Sequence, residues 1–119
     1  MYSAQVLDHF QNPRNAGEIP SPDAKAEISN PVCGDVLHLT LKVSSDSVTE
    51  IRFQAKGCVP TMACASAMTE LVRGKTVGEA HSLNREHIIS ALGGLPQAST
   101  HAAQLAIDTL TAALRQIKP

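Results

Sequence analysis

VLHLTLKVSSDSVTEIRFQAKGCVP, residues 36–60, is the stretch that decides the fold. Apolar and polar residues alternate along residues 36–43 and again along residues 48–56, which is the pattern of strands with one buried face. The polar run at residues 44–47 predicts a turn, so the two strands form an antiparallel hairpin. Pro60 suits the first position of a helix. The segment therefore predicts a hairpin that leads directly into a helix.

Helical patterns lie on both sides of this hairpin. Before it, residues 3–11 predict a short amphipathic helix with Ser3 as its N-cap and with Val6, Leu7 and Phe10 on one face. After it, three helical stretches are expected: a buried helix that ends at Gly74, a pair over residues 77–92 with a break near Asn84, and a last helix over residues 100–117.

The composition fits small helices packed on a sheet. Hydrophobic residues make up 43% of the 119 residues but only three of the side chains are aromatic, so the core consists of Ala, Leu, Val and Ile. A possible edge strand at residues 25–29 would give the sheet a third strand. We therefore expect one domain over residues 1–119 with an α+β fold, a three-stranded antiparallel sheet with helices packed on it.

Charge and hydropathy exclude several classes of function. The net charge is −1 and the basic residues are scattered, which argues against nucleic-acid binding. Apolar stretches fall short of the roughly 20 residues that span a bilayer, so we expect no membrane partner. The three cysteines are an odd number, so we expect a cytoplasmic protein with reduced thiols. No nucleophile, base and orienting group can be assembled from the sequence, so an enzyme is the weakest class.

Cys33 and Cys58 flank the predicted hairpin, one before its first strand and one after its second. Because a hairpin brings its two ends together, both cysteines and Asp35 are expected in one site. Cys58 precedes a helix N-terminus, which favours a thiolate. Thiolates, a carboxylate and a further donor suit zinc, ferrous iron or a [2Fe–2S] cluster. The alternative is that both cysteines are small buried hydrophobes.

Four segments in order resemble the NifU/IscU-type iron–sulfur cluster scaffold family. They are DHFQNPRNAG, NPVCGD, KGCVPTMACASAMTELVRGK and LPQASTHAAQLAIDTLTAAL. The resemblance covers nearly the whole chain. It implies an α+β fold with a three-stranded sheet and a protein that takes sulfur from a cysteine desulfurase, binds iron, and passes a labile cluster to recipient apoproteins.

Residue by residue, the resemblance assigns Cys33 and Cys58 as cluster cysteines, Asp35 as the aspartate that keeps the cluster labile, and His101 as the histidine of a His-Cys pair. Position 102 departs from that pattern, because the family has cysteine there and this chain has alanine. The chaperone motif Leu-Pro-Pro-Val-Lys is also reduced to its first two residues in Leu95–Ser99, so dependence on the dedicated chaperone is doubtful.

Cys64 is the third cysteine, six residues beyond Cys58, and it has two interpretations. It could replace the missing ligand at the site, or it could belong to the apolar stripe that it forms with Ala67, Met68 and Leu71 at helical spacing. His101 likewise has an ordinary alternative as a surface or capping residue.

Three hypotheses follow for the function. The first is a scaffold or carrier for a transient [2Fe–2S] cluster. The second is a zinc-binding sulfur acceptor, which needs only two cysteines, Asp35 and His101 as ligands. The third is a cluster-free family member that acts as an interaction domain. A homodimer that shares a cluster would compensate for Ala102.

Overall fold

The computed structural model describes residues 1–31 and 34–117. Its elements are α1 Ala4–Gln11, β1 Ala24–Ser29, β2 Val36–Ser44, β3 Ser47–Lys56, α2 Val59–Val72, α3 Val77–His81, α4 Arg85–Ala91 and α5 Thr100–Leu114, with a 3₁₀ turn at Gln97–Ser99. The strands precede all but one of these helices, and the predicted α+β fold is confirmed. None of the helices in this part of the chain is long and apolar enough to cross a membrane.

The sheet has three antiparallel strands in the order β1-β2-β3. The hairpin of β2 and β3 closes at Ser44↔Ser47, with Ser45 and Asp46 at φ values of 51° and 65°. A two-residue turn with both φ angles positive matches the twist of the flanking strands. The hairpin prediction is therefore correct, and it brings residues 35 and 57 to the same end of the sheet.

The core lies between the sheet and the long helices α2 and α5. Leu39, Leu41 and Phe53 of the sheet are at most 1% exposed, as are Met68 of α2 and Leu110 of α5. Helix α2 is buried on most sides, because it packs on α1, α5 and β3 together. The N-terminus of this central helix is thereby fixed at one edge of the sheet.

Helix α1 presents a different face to the core from the predicted one. Val6 and His9 are buried, whereas Leu7 and Phe10 are 43% and 40% exposed. The reason is a polar contact with α2, in which His9 Nδ1 lies 2.8 Å from Ser66 Oγ. The buried face of α1 is thus selected by its partner helix.

The helix termini agree closely with the sequence signals. The Ser3 side chain accepts a hydrogen bond from the Val6 N–H and caps α1 as predicted. The break near Asn84 separates α3 from α4, where Asn84 is the N-cap. Only the last helix is shorter than expected, since α5 ends at Leu114 rather than at residue 117.

Candidate metal centre

Three of the predicted site residues meet where β2, α2 and α5 begin. Asp35 directly precedes β2, Cys58 is the N-cap of α2, and His101 lies in the first turn of α5. One ligand atom from each residue lies within 4.8 Å of the ligand atoms of the other two. The arrangement joins a carboxylate, a thiol and an imidazole, which are the three ligand types that zinc accepts from proteins.

Asp35 is the buried member of this cluster, with 4% of its surface exposed. Its main-chain carbonyl accepts a 2.7 Å hydrogen bond from the Asn30 N–H, and the Gly34 N–H donates to the Asn30 carbonyl over 2.7 Å. Gly34 has φ +74°, a conformation that favours glycine. The Thr61 hydroxyl donates a 2.6 Å hydrogen bond to Asp35 Oδ2. Main chain and side chain of Asp35 are therefore both held in place.

Gly57 leaves the space that the Asp35 carboxylate occupies. A β-carbon added at Gly57 would lie 2.4 Å from Asp35 Oδ1 and 2.6 Å from Asp35 Cγ. Non-bonded contacts shorter than 3.0 Å are essentially never made by a β-carbon, so any other residue at position 57 would displace the carboxylate or the main chain. The glycine before the cysteine is thus required by close packing against Asp35.

Cys58 is the exposed member, and its thiol points toward the Asp35 carboxylate and the Thr61 hydroxyl. The side chain makes no capping hydrogen bond to α2. Instead, Sγ lies 3.4 Å from Asp35 Oδ2 and 3.3 Å from Thr61 Oγ1. Sulfur and oxygen ligands of one tetrahedral zinc ion are roughly 3.5 Å apart, given Zn–S and Zn–O bonds of about 2.3 and 2.0 Å. The thiol and carboxylate already have the spacing of a metal-bound pair.

His101 is half-buried, and its ring is oriented by the segment that precedes α5. Nδ1 lies 3.0 Å from the Ala98 carbonyl oxygen, which can only accept a hydrogen bond, so Nδ1 carries the proton. In the neutral ring, Nε2 is then the nitrogen with a lone pair for a metal. A backbone carbonyl that fixes the tautomer of a metal-binding histidine is a common arrangement in metal sites.

The two remaining predicted ligands have different fates. Cys64 is 0% exposed in the core, where burial raises the pKa of its thiol to about 12, and it does not belong to the cluster of ligand atoms. The structure therefore favours the core interpretation of Cys64. Cys33 lies outside the described residues. Ala102 is 1% exposed and faces the core beside half-buried His101.

Thr61 is a site residue that the sequence interpretation missed. It is the third residue of α2 after the N-cap cysteine, the position from which a side chain reaches back to the cap. Its hydroxyl is buried and touches both Asp35 and Cys58. The signal that could have identified it is the spacing of a hydroxyl residue three positions after a cysteine at a helix start.

The sequence matches a known protein family over nearly its whole length. The family model described as the NifU-like N terminal domain matches residues 1–118. The chain belongs to this family. Its NifU-like relatives include the iron–sulfur cluster assembly scaffold protein IscU 1 of Archaeoglobus fulgidus, 44% identical over 96% of this chain and 74% of the relative.

The other NifU-like matches agree with this assignment. IscU of Azotobacter vinelandii, also named an iron–sulfur cluster assembly scaffold protein, is 36% identical over 98% of this chain and 94% of that protein. The crystal structure of a NifU-like protein from Brucella abortus superimposes with a TM-score of 0.78, covering 97% of this chain and 92% of that one at 23% identity. That structure supports the fold. The Archaeoglobus and Azotobacter relatives are both named as scaffold proteins rather than enzymes.

Proposed function

We propose that residues 1–119 form one scaffold domain that accepts sulfur and iron and transfers a labile iron–sulfur cluster. The observation that carries this proposal is the convergence of Asp35, Cys58 and His101, whose ligand atoms lie within 4.8 Å of one another. Membership of the NifU-like family and relatives named as assembly scaffolds support it.

Each side chain has a distinct role in this proposal. Cys58 supplies a thiolate, the ligand for which iron in clusters has the strongest preference. Asp35 supplies a carboxylate oxygen, a harder ligand than sulfur, which weakens the hold on a sulfur-bridged cluster and favours its release. His101 supplies Nε2. Cys33, two residues before Asp35 in the sequence, is proposed as the second thiolate.

The exposure of the site suits a protein that loads and unloads its cargo. The Cys58 thiol is open to solvent, whereas the Asp35 carboxylate behind it is buried and hydrogen-bonded to Thr61. A persulfide on a cysteine desulfurase can reach the exposed sulfur, and a recipient apoprotein can reach the assembled cluster. We propose the reducing cytoplasm as the compartment. We also expect the protein not to depend on the dedicated chaperone, because the segment Leu95–Ser99 keeps only the first two residues of the chaperone motif.

Zinc binding with sulfur acceptance is the second candidate, and alanine at position 102 favours it. The family holds its cluster on three cysteines, and the cysteine next to His101 is missing from this chain. One zinc ion needs no third cysteine, because Cys33, Asp35, Cys58 and His101 would complete its tetrahedral coordination. In this case one thiolate would leave the zinc ion and attack the outer sulfur of the desulfurase persulfide, so that the persulfide forms on this chain and the desulfurase cysteine departs as a thiolate.

Anaerobic reconstitution tests the proposal. The protein is incubated with ferrous iron, cysteine and a cysteine desulfurase, and iron, acid-labile sulfide and the visible absorption spectrum are measured. Cys58→Ser is compared with Cys64→Ser, which changes the same residue type in the core. We expect a cluster in the wild type and in Cys64→Ser, and its loss in Cys58→Ser.

The other outcomes separate the competing functions. A colourless protein with one tightly bound zinc and no sulfide would replace the scaffold proposal with the zinc candidate. A protein that binds neither metal would leave an interaction domain. A cluster lost in Cys64→Ser, with the fold intact by circular dichroism, would move the site toward α2 and contradict the ligand set proposed here.

A further inference from the structure

The fold protects the two edges of the sheet to different degrees. On the β3 side, the Phe53 main chain bonds to Asn15 and Gly17 of the loop that follows α1. On the β1 side, the Gln116 side chain accepts a hydrogen bond from the Lys25 N–H and donates one to the Lys25 carbonyl. Uncovered groups along a sheet edge are the places at which a further strand can pair.

Glu27 and Ser29 form the open part of the β1 edge. The Asn30 N–H bonds to the Asp35 carbonyl, so the main-chain groups of even-numbered residues in β1 point toward β2. Because this direction alternates along an antiparallel strand, the groups of Glu27 and Ser29 point outward, like those of Lys25. In the part of the chain that the structure describes, no hydrogen bond covers the outward N–H and carbonyl groups of Glu27 and Ser29.

Ile28 lies between these two residues and carries the only large apolar side chain of β1. The side chain is half-buried and packs against the core from the face of the sheet that meets the helices. A groove of about 230 Å³ opens beside it, lined also by Leu105 and Asp108 of α5. A strand that adds to this edge would bury more of Ile28 if it carried an apolar residue directly opposite.

We propose that a second copy of this chain occupies the edge, its β1 running antiparallel to the first, with Ile28 of both copies on the two-fold axis. Glu27 of each copy then lies opposite Ser29 of the other. Each of these two pairs exchanges both of its main-chain hydrogen bonds, which satisfies every open group on the edge. The two Ile28 side chains meet directly across the axis, where they extend the apolar face of the sheet.

The neighbouring registers are less favourable, and this singles out Ile28 as the centre. With Glu27 on the axis, the two Glu27 carboxylates would lie directly opposite each other, which is destabilising. With Ala26 on the axis, Lys25 would pair with Glu27, and its main-chain groups would first have to lose both bonds from Gln116.

Pro31 excludes a shift in the other direction and explains where the pairing stops. With Ser29 on the axis, Glu27 would lie opposite Pro31, which has no N–H to donate. In the proposed register Pro31 instead lies opposite Lys25. The Lys25 carbonyl needs no donor from the second copy there, because the Gln116 side chain already supplies one.

The resulting dimer is closed and of low affinity. A two-fold contact uses the open edge of both copies, and the β3 edges are bonded to the loop after α1, so the pair does not grow into a longer assembly. Three residues of each copy pair, compared with roughly 20–30 residues a side in a standard interface. We therefore expect a Kd of about 0.1–1 mM. The contact involves no metal ligand and forms in the metal-free protein.

Sedimentation equilibrium of the metal-free chain between about 10 µM and 1 mM tests the proposal, because this range spans the change from monomer to dimer. The share of dimer should rise with concentration, and no larger species should form. In ¹⁵N spectra of the same samples, the amide signals of Glu27 and Ser29 should shift with concentration, whereas the Lys25 amide should shift little.

Glu27→Pro should abolish the dimer, because it removes an outward N–H from each copy and leaves the β1–β2 ladder intact. Glu27→Thr is the matched control, since it loses the same contact with His38 but keeps the N–H. Circular dichroism checks that both variants are folded.

A second pair of variants tests the register at an exposed position. Ser29→Lys places an ammonium group opposite Glu27 at two places in the dimer, and it should lower the Kd about 2- to 30-fold. Ser29→Glu places a carboxylate there and should raise it. These two variants decide the question alone if Glu27→Pro fails to fold.

Each adverse result is specific. A chain that stays monomeric up to about 1 mM, or dimerises equally well as Glu27→Pro, would overturn the proposal. The opposite order of Ser29→Lys and Ser29→Glu would refute the register. Gln116→Ala should be neutral, and a tighter dimer in this variant would assign Lys25 to the interface and overturn the centre at Ile28.

Discussion

Gly57→Ala is the substitution that most directly tests how the metal centre is built. The added β-carbon would lie 2.4 Å from Asp35 Oδ1, 2.6 Å from Cγ and 3.1 Å from Cβ. The main chain of Asp35 is held by its bond from Asn30, so the carboxylate is the part that can move. Rotation away from residue 57 would remove it from Cys58 and Thr61.

The cost follows from the contacts that are lost. Overpacking of a buried site costs about 1–3 kcal/mol. The bond from Thr61 to the Asp35 carboxylate contributes a further amount of about 1.5–3 kcal/mol, which is typical of hydrogen bonds to charged groups. If metal binding loses only the overpacking cost of about 1–3 kcal/mol, the Kd for zinc rises about 5- to 150-fold. The free energy of unfolding without metal should fall by about 1–3 kcal/mol.

Two measurements and one control decide the case. Zinc affinity is measured by competition with a chromophoric chelator, and the free energy of unfolding by urea titration of the metal-free protein. Gly78→Ala is the matched control, because a β-carbon there meets nothing closer than Thr76 Oγ1 at 4.0 Å. It should leave zinc affinity unchanged and, as a helical glycine, gain about 0.5–1 kcal/mol in stability.

A double-variant cycle identifies the colliding group. In an Asp35→Ala background, Gly57→Ala should no longer change the zinc affinity and should retain only the 3.1 Å contact with the β-carbon. Wild-type zinc affinity and stability in Gly57→Ala would refute the packing argument. An equal loss in Gly78→Ala would show that the effect belongs to glycine replacement in general.

Three further predictions concern the core and α1. At pH 8 the buried Cys64 thiol, with its pKa raised to about 12, should resist iodoacetamide in the folded protein while Cys58 is alkylated; peptide mapping by mass spectrometry checks this, and equal labelling would contradict it. The same raised pKa makes the unfolding free energy fall by about 1.4 kcal/mol per pH unit from about pH 9 toward 12, a slope that Cys64→Ala should remove. Burial lowers the pKa of His9 below 6.5, so stability should fall as the pH drops below 6.5, and urea titrations of His9→Gln should lack that step.

The hairpin and the helices could be predicted because their signals are local. Alternation along residues 36–43 and 48–56, the cap at Ser3 and the break at Asn84 depend on near neighbours in the sequence, and the structure confirms each of them. The adjacency of Asp35 and Cys58 was accessible for the same reason, since a hairpin returns the chain to the level at which it began. The place of His101 came from the family resemblance, because no local pattern links α5 to the hairpin.

Contacts between separate elements could not be predicted from such local signals. The buried face of α1 depends on the Ser66 hydroxyl of α2, more than 50 residues away, and the apolar pattern alone selected Leu7 and Phe10 instead. The spacing of Thr61 from Cys58 is a weak signal in the sequence, because a threonine near a helix start is ordinary until a buried carboxylate is placed beside it. Gly57 resembles a turn residue, and only the distance to Asp35 gives it a packing role.

Asp35 and Cys58 differ in how the fold holds them at the site. The carboxylate is buried, fixed by Thr61 and dependent on Gly57, whereas the thiol is exposed and has no cap contact. A site for permanent metal storage would gain from burying its sulfur ligand as well, since exclusion of water slows exchange. Here the weak ligand is held rigidly and the strong ligand is left accessible, so the metal can be approached from the sulfur side while one of its bonds remains easy to break. That asymmetry, together with alanine at position 102, is the physical reason to expect that sulfur ligands come and go at this site.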